Sequence, residues 1–288
     1  MGANVFEKFC PEPAHGPPFF DASLNAHHCL RHTVHPSQEA NQQAARALKW
    51  YGQQHLNAVD SAGVPRSDEL RLAKGMMGVW VERWVRARIL EFCSQIDGME
   101  CKLEVAGPAI SAAGEFEQVD VLLEKWRGKG SSVNSVRLKI EIRSSFNYYS
   151  VRNAIFRTFS VLGPYGNGVK PGETVKDVYL FVLVDLHQRA AGAKCIVYAD
   201  PAHKTIDYAK TAAQVLLQHT LAIGPGSVEV KNPFDLILVG GATRDMFADP
   251  ALTQPLKSNS SYRNPEFQSI AIPKALDACG ILKRILAI

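Results

Sequence analysis

The sequence predicts an α/β (α+β) fold: a mixed central sheet flanked by helices, in the order helix, three strands, helix, strand (αβββαβ). Three observations lead there. Residues 115–145, EFEQVDVLLEKWRGKGSSVNSVRLKIEIRSS, alternate apolar and polar side chains on both sides of a Gly/Ser turn, the mark of a half-buried hairpin. Ser67 to Cys93 holds a helical periodicity over its whole length. The runs YLFVLVDL (Tyr179 to Leu186) and DLILVG (Asp235 to Gly240) are nearly all apolar, as strands covered on both faces are.

A chain of 288 residues can bury a large core, and 46% hydrophobic with 21% charged residues is ordinary for a globular protein. The net charge of +4 leans weakly towards a polyanionic partner. No apolar run approaches the ~18 residues of a membrane span, and the N-terminus lacks a basic-then-apolar leader, so no membrane association is expected. Cys10, Cys29, Cys93, Cys101, Cys195 and Cys279 are scattered without a CxxC pair. They read as reduced thiols, and a cytoplasmic location is expected.

Residues 1–66 form an N-terminal arm and helical extension. Pro11, Pro13, Pro17 and Pro18 interrupt any helix at its start. His27, His28, His32 and His35 crowd Cys29, with Cys10 upstream, but their spacing fits no standard zinc finger. Ordinary surface or helix-start histidines are the preferred reading. Ser37 opens a helix running to about Ala58, with Ala44, Leu48, Tyr51 and Leu56 on its apolar stripe.

Residues 67–245 make the core. Its first helix places Asp68 and Glu69 in the opening turn, where negative charge suits the helix dipole. Glu82 on this helix reads as an exposed partner of Arg86, four residues on. A first strand is expected from Lys102 to Ile110, followed by the hairpin. Asn147 to Leu162 returns to helical spacing, and Tyr149, Asn153 and Arg157 share one flank with Arg152 beside them. That flank suits either a solvated helix face or a grip on phosphates and base edges. After a Gly/Pro loop at 163–173 come the strand Tyr179 to Leu186, a strand at Cys195 to Asp200, a helix from Thr205 to Leu221 and the strand Asp235 to Gly240. Residues 246–288 have a looser pattern, expected as an extension packed on the core.

The hairpin carries the chemistry. On its second strand Leu138, Ile140 and Ile142 face one way, while Arg137, Lys139, Glu141 and Arg143 face the other. Folding the turn between Gly130 and Ser131 sets Asp120 opposite Glu141, with Cβ atoms roughly 4.5–5.5 Å apart. Two carboxylates so close repel unless a cation lies between them, and a hard divalent ion takes such oxygen ligands.

The helix stretch GMMGVWVERW, the strand EFEQVDVLL and the strand LKIEIRSSFNYY, in that order, resemble the PD-(D/E)XK nuclease superfamily, which includes many type II restriction endonucleases. The likeness spans roughly Lys74 to Leu186 and implies a restriction-endonuclease-like core. It implies Asp120 and Glu141 as ligands of Mg²⁺, with Mn²⁺ as a substitute, and Glu82 as a supporting acid acting through water. The family's lysine falls at Arg143. A guanidinium stays protonated and cannot be a general base, but it can bind the charge that develops on phosphate. Lys139, two residues before Glu141 on the same face, is the other candidate for the missing ammonium.

What the resemblance implies is a Mg²⁺-dependent endonuclease of double-stranded DNA, of the type II restriction kind. Ser144, Ser145, Asn147, Tyr149, Arg152, Asn153 and Arg157 would contact DNA, and a homodimer would cut both strands. Two alternatives stay open: a nuclease of the same fold acting on branched, modified or RNA substrates, and a catalytically inactive nucleic-acid-binding protein. Metabolic enzyme classes are disfavoured, since no Walker loop, no GxGxxG after a strand and no GxSxG is present.

Overall fold

The computed structural model describes residues 28–51, 68–95, 99–104, 109–110, 116–117, 121–127, 134–146, 158–161, 176–185, 220–224, 227–255, 268–271 and 274–287. Strand β1 (Leu30–Val34) precedes helix α1 (Gln38–Tyr51). Ser37 starts that helix as expected: its hydroxyl accepts the Ala40 N–H at 3.1 Å, relieving one of the unpaired donors of the first turn. Helix α2 (Asp68–Ser94) matches the long helix read from the sequence.

Strands β2 (Met99–Glu104), β3 (Ala109–Ile110), β4 (Phe116–Glu117), β5 (Val121–Arg127) and β6 (Asn134–Phe146) follow. The single strand expected from Lys102 to Ile110 is two pieces. Met99–Glu104 joins the main sheet, whereas Ala109–Ile110 pairs with Phe116–Glu117. The run contains Pro108, and proline has no N–H to give a ladder. The hairpin register agrees with the sequence to the residue: Val121 pairs with Ile140 and Arg127 with Asn134.

Strands β7 (Thr158–Val161), β8 (Val178–Asp185), β9 (Thr220–Gly224), β10 (Ser227–Val230) and β11 (Phe234–Thr243) continue the chain. The helix expected to reach Leu162 ends in extended chain instead, since Thr158–Val161 pairs antiparallel with a later strand. The TFSV stretch alternates, and a neighbouring strand satisfies its backbone more completely than an isolated turn would. Likewise Thr220 and Leu221, expected at a helix end, lie in β9. The rest of both expected helices, the strand expected at Cys195 to Asp200 and the 163–173 loop lie outside the described residues.

The last elements are helix α3 (Arg244–Ala248), strands β12 (Thr253–Pro255), β13 (Gln268–Ala271) and β14 (Leu276–Asp277), and helix α4 (Ala278–Ala287). The main sheet is curled and mixed, in the order β1-β11-β8-β6-β5-β2, with β14 joined to β11. The β6–β8 pair is parallel and its other pairs are antiparallel.

Two apolar clusters lie on the two faces of this sheet. On the first face Leu138, Ile140 and Ile142 meet Val178, Leu180 and Val182, beneath Met77, Val81, Val85 and Ile89 of α2 and Ile281, Leu282 and Ile285 of α4. Tyr179, Phe181, Ile237, Val239, Phe247 and Ile270 fill the second. Burial on both sides explains why β8 and β11 read as unbroken apolar runs. Helix α2 also packs Met76 and Val79 against Ala44 of α1. Asn41 of α1 is buried and behaves as a miniature strand, donating to Val230 O at 3.0 Å and accepting the Val230 N–H at 2.9 Å.

A bulge between Leu238 and Gly240 shifts the register of β11 on β8 by one residue. Gly240 there has φ +154°, and a Cβ on it would come within 2.0 Å of the Leu276 carbonyl oxygen. Only glycine lets β14 approach so closely. The tail that looked loose in sequence is therefore a core element from Leu276 onward. Cysteine usage departs from six reduced thiols: Cys29, Cys93 and Cys101 are free, but Cys279 is disulfide-bonded. Among the described residues, no helix is long and apolar enough to cross a membrane.

Candidate active site

Strand β6 is the element on which the site is built. Its alternation puts Leu138, Ile140 and Ile142 in the first-face core, so Lys139, Glu141 and Arg143 project from the second face. In the parallel register Glu141 lies beside Tyr179 and Arg143 beside Phe181, both members of the second-face cluster. On the other side of β6 the described ladder to β5 stops at the Val121–Ile140 pair. Glu141 thus stands where β8 has just begun and the described part of β5 has just ended.

The Glu141 carboxylate is 14% exposed, and its Oε1 lies 3.0 Å from Nη2 of Arg143, which is 32% exposed. The same guanidinium keeps its Nε buried with no hydrogen-bond partner among the described residues. Lys139 is anchored through its backbone: its N–H donates to Asp177 Oδ2 at 2.8 Å, and its carbonyl accepts the Asp177 N–H at 2.9 Å.

Tyr179 forms the floor beside Glu141. Its ring meets Phe247 edge-on at 5.0 Å, and the residue is 4% exposed. Burial first, then the Glu141 carboxylate, pushes its phenol up to about 12, against opposing pulls from a Lys176 backbone hydrogen bond, Arg143 and Arg244. The folded chain therefore holds this proton more tightly than the unfolded chain. The associated stability is complete below about pH 10 and is lost as pH rises through about 12. Tyr179→Phe is expected to remove up to about 2 kcal/mol of the alkaline loss of stability. Urea midpoints between pH ~9 and ~11.5 should fall less steeply in the variant, and parallel curves for the two proteins would refute this.

Of the residues expected at the site, Glu141, Arg143 and Lys139 share one face. Ser144 follows and is exposed. Asp120, Asn147, Tyr149, Arg152, Asn153 and Arg157 lie outside the described residues, as does the side chain of Ser145. Glu82 is half-buried on α2, whose core residues pack on the first face of the sheet, whereas Glu141 points away from that helix. The Arg86 contact is to the Glu82 backbone carbonyl, with Nε at 3.2 Å. His32, from the histidine-rich segment, stacks on Trp84 with ring centroids 6.1 Å apart.

Tyr179, Asp177 and Arg244 carry no sequence signal of a site. Tyr179 lies within an apolar run, and Asp177 and Arg244 sit at strand ends with no pattern linking them in sequence. Only the pairing of β6, β8 and β11 brings them together. No protein-family model, no curated protein and no solved structure matches the chain. Function is therefore read from the residues and their geometry.

Proposed function

We propose that the protein is a Mg²⁺-dependent endonuclease of double-stranded DNA, built on a restriction-endonuclease-like core and acting at a specific sequence as a type II restriction enzyme does. One observation carries the reading: Glu141 and Arg143 lie together on the second face of β6, just past the Val121–Ile140 rung of the hairpin. The register read from the sequence pairs Asp120 with Glu141, and the described rungs from Val121 to Arg127 follow that register.

The donor set suits a hard ion. Mg²⁺ is held by one or two carboxylates, with water and substrate phosphate completing its shell, so no larger protein cage is needed. Among the described residues no group of three or more His, Cys, Asp or Glu gathers, and Asp120 with Glu141 is the pair that would hold the ion. When bound, Mg²⁺ lowers the pKa of water and polarises the phosphate. The chain's own residues supply the rest. Arg143 binds a non-bridging phosphate oxygen through the part of its guanidinium that stays exposed. Tyr179 stays protonated at neutral pH and keeps a neutral group beside the carboxylate. Ser144, Ser145 and the segment from Asn147 to Arg157 contact the DNA, and two copies of the chain cut the two strands.

A second reading has its own support. The 3.0 Å pair between Arg143 and Glu141, at the place where the resembling family has lysine, neutralises the carboxylate and suits a protein that binds nucleic acid without cutting it. The same experiment separates the two. Plasmid and phage DNA, with RNA, branched and modified DNA alongside, is incubated with Mg²⁺ and the wild type, Asp120→Ala or Glu141→Ala. The nuclease reading expects cleavage by the wild type and at least a ~100-fold loss in each variant, the scale of removing a group that binds charge in the transition state. Equal activity in all three proteins discards it. Mg²⁺-independent binding with no cleavage of any substrate selects the second reading.

A further inference from the structure

Three backbones are laced together at one end of the main sheet. Asp177 donates to Lys139 O at 2.9 Å, Lys139 donates back to Asp177 Oδ2 at 2.8 Å, and Arg244 donates to Asp177 O at 3.0 Å. The registers that pair Val178 with both Ile140 and Thr243, carried back one residue, set Lys139, Asp177 and Arg244 side by side. Glu141, Tyr179 and Ala242 lie two rungs on, the next tier on the same face. Adjacent strands lie about 4.8 Å apart, so Arg244 starts about 10 Å across the sheet from Lys139.

The same registers set Arg143 on the β6 side of Tyr179 and Arg244 on its β11 side, each two residues beyond the residue that pairs with Tyr179. Arg244 is exposed, and its side chain has no hydrogen bond or ion pair among the described residues. Asp245, the acid next to it in the chain, is turned instead to Arg284 at 3.3 Å. Two guanidinium groups thus lie on the two sides of Tyr179, Arg143 partly exposed and Arg244 exposed.

We infer that Arg143 and Arg244 together form a phosphate subsite that takes the sugar-phosphate backbone of a nucleic acid, with Arg244 as a binding residue outside the hairpin motif. The planar fork of each guanidinium matches phosphate oxygens, and two forks on either side of β8 direct the backbone across β6, β8 and β11. The identity of the polyanion rests on the nucleic-acid reading above; the subsite itself does not require cleavage.

The test is fluorescence anisotropy of a labelled duplex of ~20 base pairs, titrated with full-length protein without divalent ions over a range of salt. The proteins compared are the wild type, Arg244→Ala, Arg244→Lys and Arg284→Ala. Arg244→Ala should bind about 10-fold more weakly and reduce the slope of log Kd against log salt by about one. Arg244→Lys should keep the slope while losing part of the affinity, and Arg284→Ala should match the wild type. The proposal is overturned if Arg244→Ala binds like wild type at every salt concentration, if Arg284→Ala is weakened as much, or if the wild type does not bind the duplex. Binding that depends on Arg244 without any cleavage would keep the subsite and end the nuclease reading. Cleavage with binding indifferent to Arg244 would do the reverse.

Discussion

Arg31→Ala is expected to destabilise the protein by about 3 kcal/mol, because it strips a buried carboxylate of its cation. Asp235 is 1% exposed, and two nitrogens of the Arg31 guanidinium reach its Oδ2, while Thr33 donates its hydroxyl to Oδ1 at 2.7 Å. Arg31 itself is 47% exposed, so solvent screens part of the attraction and the loss lies at the low end for broken buried pairs. The Thr33 hydroxyl carries no charge and does not replace a charge-assisted bond. Among the described residues β1 is an edge strand whose ladder is with β11, so the cost falls on the attachment of the chain's first described strand. A urea melt measures it. Arg31→Ala with Asp235→Ala should recover part of the loss, since the uncompensated carboxylate is gone. An Arg31→Ala protein within about 0.5 kcal/mol of wild type would show that the pair does not hold the strand.

Lys125→Met should cost a similar amount, about 3 kcal/mol, by leaving two buried carbonyls without donors. Lys125 is 5% exposed, and its Nζ donates to Ile285 O at 2.7 Å and to Leu286 O at 2.8 Å. These are last-turn carbonyls of α4, which have no partner inside the helix, and the ammonium also meets the negative end of the helix dipole. Methionine keeps most of the apolar volume, so the loss isolates the polar contacts from packing. Besides a lower denaturation midpoint, the amides of residues 278–287 should exchange faster with solvent, as α4 loosens before the sheet does. Unchanged exchange in α4 would assign the lysine a role elsewhere.

Both residues show how far a one-dimensional reading reaches. Lys125 looked like one more charge on an alternating strand, and nothing nearby in sequence announced a helix end 160 positions away. Arg31 lay in a histidine-rich segment whose own pattern pointed nowhere, and Asp235 opened an apolar run. Local signals were sounder. The Ser37 cap, the extent of α2 and the buried runs of β8 and β11 follow from periodicity and capping, which act over a few residues. The spurious helix end at Thr158 to Val161 came from the same source: a short apolar run satisfies both periods, and pairing with β13 decided between them.

What the chain determined alone is the hairpin: which side chains of β6 face the core, and the register that pairs Val121 with Ile140. A two-residue repeat and a short turn leave a single solution in which the apolar face is buried. The neighbours of Glu141 on its own sheet were decided by tertiary structure. Tyr179, Asp177 and Arg244 arrive through the parallel β6–β8 pair and the antiparallel β8–β11 pair, contacts between segments separated by many residues. Such pairings depend on how whole strands bury their faces against α2, α4 and the second cluster, and no local spacing encodes that competition.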